Sequence, residues 1–254
     1  MSARLQPTLL IFTLGAAGDS ARRPLVPARL RGAEVELRRS CLEAALAAGR
    51  EAGWRLAVCS PRPLTAAPGT TADVVHLAQR GAGFGRRFAQ ALAAAFDLAA
   101  GGPVVAVGGD APGLTAGHLG AALDRLAEDP DRVVAGPSPD GGFYLLAATR
   151  PIAGLAAGVR WCRRDALRSL RRALAAQGRE LVLIAPLADL DRPADLDRWL
   201  AGGADGGSWS ARRRRLRSLV ALLARFRRPP APPRLGRPRL ALAAVAAVRG
   251  PPLP

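Results

Sequence analysis

A short apolar segment that ends in two glycines and an aspartate places the strongest constraint on the fold of this chain. It spans Val104–Leu114 and reads VVAVGGDAPGL. Its four apolar residues, bounded by glycine and proline, predict a short buried strand, because the run is too short for a free-standing helix. The glycines permit a tight turn, so Asp110 projects its carboxylate beyond the end of the strand. A helix is expected to begin near Thr115.

The aspartate at the end of this strand has two interpretations. In open α/β sheets, ligands bind at the carboxyl ends of the strands, where Asp110 could hold a divalent cation against a diphosphate. The alternative is structural, because aspartate is also a common N-cap and turn residue, and Asp110 could serve only to begin the next helix.

The remainder of the chain alternates between strand and helix patterns. Strands are predicted at Thr8–Leu14, Arg55–Cys59, Asp73–Leu77, Val133–Ala135, Phe143–Ala148 (or a strand–helix junction) and Glu180–Ala185. Helices are predicted at Ala33–Ala52, Gly85–Ala99, Ala116–Ala127, Arg164–Ala176 and Ala194–Ala201, with a loop at Gly15–Pro27. This alternation is typical of a largely parallel sheet covered by helices. The sequence therefore predicts one α/β domain over residues 1–201.

The composition changes at Gly202. The chain has a formal net charge of +17, with 37 arginines and no lysine. Residues 202–254 hold twelve of these arginines and a single acid, Asp205, so this segment carries a net charge of +11 and the first 201 residues carry +6. This arginine- and proline-rich tail is predicted to be largely disordered. Within it, about 212–228 could form a basic amphipathic helix on a membrane surface, or be only a solvated charge run. No specific nucleic-acid partner is expected, and binding through the tail would be nonspecific.

The cysteines and the N-terminal residues indicate in which cellular compartment the protein is expected. Cys41, Cys59 and Cys162 are odd in number and lack metal-ligand spacing, so neither a disulfide framework nor a zinc site is indicated, and a cytoplasmic location is expected. The apolar residues near the N-terminus favour a first core strand over a signal peptide. No apolar run approaches the roughly 18 residues that a transmembrane helix requires.

Two further groups of acids follow predicted strands. The first is Asp140 in Val133–Leu146, which reads VVAGPSPDGGFYLL. Neighbouring parallel strands could bring Asp140 and Asp110 to one crevice. The second lies in the segment ADLDRPADL, where Asp191 before a proline is predicted to cap the last helix. That assignment leaves Asp189 free to bind a metal.

Several of these segments together resemble one known family. The segments GGDAPGLT, GPSPDGGFYLL and DLDRPADL, with Gln79, Gly85 and Arg87 in QRGAGFGRR and Trp161 before a helix, resemble a bacterial family of GT-A-fold, glycosyltransferase-like proteins. That family includes members linked to arsenosugar biosynthesis and is similar in fold to molybdenum-cofactor guanylyltransferases. The resemblance covers roughly Leu9–Leu200. It implies a three-layer α/β/α GT-A domain with a mostly parallel sheet.

The resemblance also implies a chemistry. It suggests a glycosyltransferase that moves a sugar from a nucleotide-diphosphate-sugar donor to an unknown acceptor, with Mg²⁺ or Mn²⁺ as cofactor. Asp110 and Asp140 would be catalytic, with Asp140 as the base and Asp189 as the alternative base. Asp110 and Asp189 would hold the metal. The remaining assignments are Gly18, Arg23, Gly109 and Arg87 for the nucleotide and its phosphates, and Gly141, Gly142, Tyr144 and Trp161 for substrate.

The chain departs from the family pattern after Gly18. A Lys-Thr-Arg-Leu run usually follows this glycine, whereas Ala21, Arg22, Arg23 and Pro24 stand here. Arg23 keeps a cation, but arginine and lysine differ in reach and geometry. Two alternatives therefore stay open: an NTP-dependent nucleotidyltransferase of the same fold, and a non-catalytic nucleotide-binding homologue.

Overall fold

The computed structural model describes residues 5–64 and 73–201, together with Ser218. Its strands are β1 (Thr8–Phe12), β2 (Arg55–Ser60), β3 (Val74–Ala78), β4 (Val104–Gly108), β5 (Val133–Pro137), β6 (Phe143–Ala148) and β7 (Leu181–Leu183). Its helices are α1 (Ala16–Arg22), α2 (Arg31–Glu51), α3 (Gly83–Ala99), α4 (Ala116–Glu128), α5 (Leu155–Gly158), α6 (Ala166–Ala175) and α7 (Pro193–Ala201), with a 3₁₀ turn at Ala28–Leu30. The tail helix predicted at about 212–228 lies, except for Ser218, outside the described residues.

The seven strands form one sheet in the order β3-β2-β1-β4-β6-β5-β7. All neighbouring pairs are parallel except those of β6, which is antiparallel to both β4 and β5. The prediction that the strands leading to Asp110 and Asp140, β4 and β5, are neighbours is wrong, because β6 lies between them. The short turn between β5 and β6 forces β6 to run antiparallel to β5, and β6 then pairs with β4.

Helices cover both faces of the sheet, as the alternation of elements predicts. Successive side chains of a strand point to opposite faces. In β1, Leu9 and Ile11 face the layer of α2 and α4, whereas Leu10 faces α3 and α6. Gly49 of α2 lies directly over the sheet, because a Cβ atom there would come within 2.7 Å of the Leu9 side chain. A third, smaller cluster holds α2 against α7 through Leu37 and Leu196.

The segment predicted as a loop at Gly15–Pro27 contains α1. Its glycines indicated a loop, but Gly15 takes a positive φ of 81° only to begin the helix. Asp19, in the first turn, folds back to the end of β1: its carboxylate accepts hydrogen bonds from the Thr13 hydroxyl at 2.5 Å and the Leu14 N–H at 3.3 Å. These contacts between α1 and β1 stabilise a seven-residue helix that would be marginal alone.

Among the described helices, none combines the length and the apolar character needed to cross a bilayer.

Candidate active site at the carboxyl edge of the sheet

Loops at the carboxyl edge of the sheet enclose a cavity of about 440 Å³. Its walls come from the loops after β1 and β4, the turn between β5 and β6, the α5–α6 connection and the segment before α7. Asp110 and Asp140 both line it. They meet although β6 separates their strands, because β4 and β5 still run in the same direction and end at the same edge.

One backbone contact gathers the carboxylates around Asp110. The Leu190 N–H donates a hydrogen bond to the Asp110 carbonyl oxygen at 3.0 Å, and the Leu190 side chain is buried between α2 and α7. Asp189 and Asp191 flank Leu190 in the sequence, and both line the cavity. The segment before α7 therefore brings two further acids to the end of β4.

The crowding of these acids changes their protonation. Burial, followed by the negative charges of Asp191 and Asp189, raises the pKa of Asp110 to about 8. Burial and the charge of Asp191 likewise raise the pKa of Asp189 to about 6. Since a carboxyl group resists ionisation where negative charge is not compensated, these directions indicate a place where a cation would be stabilised.

The donor set suits a hard divalent cation shared with a substrate. Among the residues that the structure describes, no group of three or more His, Cys, Asp or Glu side chains forms a ready metal cage. Mg²⁺ is commonly bound by one or two carboxylates together with substrate phosphates rather than by an all-protein cage. Asp110 and Asp189, in one cavity, fit that kind of binding.

Asp110 does not cap the helix that follows it. Thr115 is the N-cap of α4, and its side chain and that of His118 form a reciprocal capping box with the backbone of the first turn. The Thr115 hydroxyl lies 2.8 Å from His118 Nδ1. The structural interpretation of Asp110 as an N-cap is therefore wrong, and its carboxylate faces the cavity instead.

The turn that carries Asp140 is held rigidly. Asp140 Oδ1 accepts a hydrogen bond from the Gly142 N–H at 2.9 Å, and Gly141 has a φ of 91°. A Cβ atom on Gly141 would come within 1.8 Å of the Arg164 carbonyl oxygen. The Gly141 carbonyl in turn accepts a bond from the Leu167 N–H at the start of α6. The two glycines thus allow the Asp140 turn to dock against the chain before α6.

The two N-terminal residues assigned to the nucleotide and its phosphates, Gly18 and Arg23, lie in different places. Arg23, expected to face phosphate, lines the cavity but forms an ion pair with Asp191. The N-cap assignment of Asp191 is accordingly wrong: Asp195 accepts hydrogen bonds from the N–H groups of Asp191 at 3.2 Å and Arg192 at 2.7 Å. Gly18 lines a separate groove beside α2, not this cavity.

Sequence reasoning missed a buried cation beneath the acids. Arg38 of α2 lines the cavity, is 4% exposed, and pairs with the fully buried Glu34 at 3.1 Å. It also donates to the Arg23 carbonyl oxygen at 2.5 Å. In the sequence, Glu34 and Arg38 are spaced like an ordinary surface pair on a helix. Only the packing of α2 against the loop after β1 shows otherwise.

An aromatic cluster forms the wall on the side of α3. Trp161 packs against Phe84, Phe88 and Phe143, with ring centroids 5.3, 5.1 and 5.8 Å away. Gly85 permits this contact, because a Cβ atom there would lie 2.4 Å from the indole ring.

The other residues predicted near substrate have well-defined local roles. Tyr144 is 3% exposed at the cavity wall, and its hydroxyl donates to the Ala185 carbonyl oxygen at 3.0 Å. Gly109, which also lines the cavity, lets the end of β4 approach Thr13. Gln79 joins the ends of β1 and β2 by donating to the carbonyl oxygens of Thr13 and Cys59 at 2.8 and 3.1 Å.

Comparison with known proteins points to the same fold. Residues 40–163 match the model of a family described as an uncharacterized protein conserved in bacteria (DUF2064). That segment contains Asp110, Asp140 and Trp161. No curated protein shows significant similarity to the chain.

Solved structures extend the likeness to most of the chain. A proposed nucleotide-diphospho-sugar transferase from Desulfovibrio desulfuricans G20 superposes with a TM-score of 0.63 at 21% identity, over 85% of this chain and 97% of the other. A 4-diphosphocytidyl-2C-methyl-D-erythritol synthase superposes with a TM-score of 0.50 at 12% identity, over 79% of this chain and 100% of the other. The superpositions show that the chain has a GT-A-like α/β fold, and the match of residues 40–163 to the DUF2064 model agrees with the resemblance inferred from the sequence.

Proposed function

We propose that this protein is a divalent-metal-dependent transferase that moves a sugar from a nucleotide-diphosphate-sugar donor to an acceptor hydroxyl. The observation that carries the proposal is the meeting of Asp110, Asp189 and Asp140 in one cavity although they lie far apart in the sequence. The name of the similar Desulfovibrio desulfuricans structure, a nucleotide-diphospho-sugar transferase, supports a substrate of this class.

In this proposal Asp110 and Asp189 hold Mg²⁺ or Mn²⁺. The cation would neutralise the negative charge that grows on the leaving diphosphate. Its positive charge would also favour the ionised form of Asp110, whose pKa is raised to about 8 by burial and by the neighbouring carboxylates.

Arg23 is proposed to contribute to diphosphate binding. A guanidinium carries five N–H donors, so the ion pair with Asp191 leaves others for phosphate oxygens. Gly109 leaves the end of β4 without a side chain next to the same space. Gly18, which lies beside the separate groove, would act only indirectly, through its packing against Leu14.

Asp140 is the proposed general base. It accepts the proton of the acceptor hydroxyl while that oxygen forms a bond to the anomeric carbon of the sugar. The bond from this carbon to the diphosphate oxygen breaks, and the electron pair leaves with the nucleoside diphosphate. The hydrogen bond from the Gly142 N–H holds the Asp140 carboxylate in place for this step.

Donor screening tests the proposal. Purified protein is mixed with UDP-, GDP- and ADP-sugars and Mn²⁺, and release of nucleoside diphosphate is measured together with thermal stabilisation. Release from a sugar donor is expected. Pyrophosphate release from an NTP would instead indicate the nucleotidyltransferase alternative, and stabilisation without turnover would indicate the non-catalytic one.

Two variants test the residue roles. Asp140→Asn is expected to lower turnover by about 10²- to 10⁴-fold with little change in donor affinity, since it removes only the base. Asp110→Asn is expected to remove the stabilisation by Mn²⁺. Asp124→Asn, on the exposed side of α4, is the matched control and should behave as the unmodified protein. A wild-type metal response in Asp110→Asn would contradict the assignment.

A further inference from the structure

Three arginines of the cavity belong to the segments that carry its aromatic wall. Arg87 lies on α3 between Phe84 and Phe88, at the spacing that places all three on one side of the helix. Arg163 and Arg164 follow Trp161 in the α5–α6 connection. Since Trp161 packs on both phenylalanines, the aromatic cluster joins the two groups of cations. All three arginines line the cavity.

These cations are not neutralised by the described part of the protein. Arg87 Nε is buried, and among the described residues it has no hydrogen-bond partner. The acid nearest in sequence to Arg163 and Arg164, Asp165, pairs instead with Arg160 at 2.6 Å. By contrast, the cavity arginines Arg23 and Arg38 each form an ion pair with a carboxylate. A buried guanidinium nitrogen without a partner is costly, so this side of the cavity favours an anion.

The same side of the cavity is fixed relative to Asp140. Gly141, next to Asp140, contacts the backbone of Arg164, and Phe143, which follows the two glycines, packs against Trp161 at 5.8 Å between centroids. The base proposed above and these arginines thus belong to one packed unit. A molecule that presents a hydroxyl to Asp140 would meet Arg87, Arg163 and Arg164 with another of its groups.

We infer that Arg87, Arg163 and Arg164 form an oxyanion subsite against the aromatic wall, and that the acceptor carries a carboxylate or phosphate beside an apolar or planar part. This inference rests on the proposed function, because it assigns the second substrate of the same cavity. The inference also changes the assignment of Arg87. The resemblance assigns Arg87 to the phosphates of the donor, whereas here Arg87 binds an oxyanion of the acceptor. Guanidinium groups bind both carboxylates and phosphates through paired N–H donors.

Small aromatic anions test the subsite directly. The full-length protein, free of metal and nucleotide, is titrated with phenyl phosphate and with benzoate, and binding is followed by ligand-observed NMR. Benzyl alcohol, which has the ring without the charge, is the matched neutral probe. We expect both anions, or one of them, to bind at least about tenfold more tightly than benzyl alcohol; which anion binds better identifies the acceptor group as phosphate or carboxylate.

Arginine variants locate the binding. Arg87→Gln and Arg164→Gln are each expected to weaken binding of the preferred anion about tenfold or more, whereas Arg168→Gln, an exposed arginine of α6, should not. Arg164 is exposed, so its variant should fold even if Arg87→Gln does not. Unchanged anion affinity in a folded Arg164→Gln or Arg87→Gln protein, or equal affinity for benzyl alcohol, would overturn the inference.

A separate measurement keeps the two proposals apart. Binding of nucleoside diphosphate with Mn²⁺ should be lost in Asp110→Asn and retained in Arg164→Gln, whereas anion binding should be retained in Asp110→Asn. Failure of nucleotide binding in the unmodified protein would count against the proposed function alone. If Arg87→Gln loses nucleotide binding and keeps its affinity for the anion, Arg87 binds the donor. That result would overturn the acceptor subsite.

Discussion

At the scale of single residues, Gly141 shows how the site depends on the absence of a side chain. Its φ of 91° is rarely adopted by residues other than glycine, and its Cα lies directly against the Arg164 carbonyl. Both the backbone conformation and the close contact therefore exclude a Cβ atom. The position joins the Asp140 turn to the chain before α6, so its effect should extend to the cavity.

A pair of glycine variants separates these two causes. Gly178→Ala, at a φ of 67° with nothing within 4 Å of a new Cβ atom, should lower the free energy of unfolding by about 1 kcal/mol from backbone strain alone. Gly141→Ala should lower it by roughly 3 kcal/mol, because the new atom also displaces Arg164. Urea denaturation measures both. Equal losses would show that the Arg164 contact adds nothing.

The three cysteines differ in burial and therefore in reactivity. Burial raises the pKa of Cys41 to about 12 and that of Cys59 to about 11, whereas Cys162 is exposed at the cavity. A buried thiol of raised pKa supplies almost no thiolate at neutral pH.

We therefore expect the native protein to react at one thiol and the denatured protein at three. Alkylation with iodoacetamide at pH 7.5, followed by mass spectrometry of the peptides, identifies the modified residue. Rapid labelling of Cys59 in the native protein would contradict the burial of β2.

At the scale of elements, the packing of α3 against Trp161 sets the shape of the aromatic wall. Gly85 is the point of closest approach, since a Cβ atom there would also come within 2.7 Å of the Ala156 carbonyl oxygen. The contact holds α3 against α5 and, through Trp161, positions the chain that carries Arg163 and Arg164. The helix can approach this closely only because one of its positions lacks a side chain.

Alanine at two helical glycines should have opposite effects. Gly85→Ala is expected to destabilise the protein by about 1–3 kcal/mol, because the added methyl group overpacks the indole contact. Gly120→Ala, within α4 and with open space around it, should stabilise by about 0.5–1 kcal/mol through helix propensity. Thermal melts should shift by about 2–4 °C per kcal/mol. A stabilised Gly85→Ala protein would contradict the close approach.

The start of α4 offers a second test at this scale. Thr115→Ala removes the capping box that Thr115 forms with His118 and should cost about 1 kcal/mol of stability. Thr149→Ala, just after β6, removes a hydroxyl that donates to the Pro130 carbonyl oxygen and is the comparison for loss of a single ordinary hydrogen bond. If both variants lose the same stability in urea, the capping box contributes nothing beyond an ordinary hydrogen bond.

At the scale of the whole molecule, the sheet, its apolar clusters and the cavity are all formed by the described residues. The sheet and its three apolar clusters are built from residues between Thr8 and Trp199. The cavity likewise draws its walls from Phe12 to Arg192. These positions all lie within the domain that the sequence predicts as residues 1–201.

Removal of residues 203–254 should therefore leave a single cooperative unfolding transition. The truncated protein is also expected to keep its stabilisation by Mn²⁺ with nucleoside diphosphate, because the proposed ligands lie in the retained part. Circular dichroism melts and thermal shift measure the two properties. A broad, non-cooperative melt after truncation would show that the C-terminal residues belong to the folding unit.

Much of the architecture could be predicted from local patterns. The strands at β1, β2 and β4, and the buried faces of α2 and α3, follow from apolar runs and helical spacing. The position of Asp110 at the end of a buried strand also follows, because glycine and proline mark the turn in the sequence. The helix α1 could not be predicted in this way, because the contacts of Asp19 with the end of β1 outweigh the weak helix propensity of the segment.

The sequence by itself determined the alternation of strands and helices, the buried side of each long helix and the placement of acids just beyond strand ends. It could do so because burial next to a sheet leaves a periodic signal in neighbouring residues. Only the tertiary structure decided that β6 runs antiparallel between β4 and β5, that Arg23 pairs with Asp191 across 168 positions, and that Arg87 shares a wall with Arg163 and Arg164. Such partners are chosen by the path of the whole chain, and no local spacing records them.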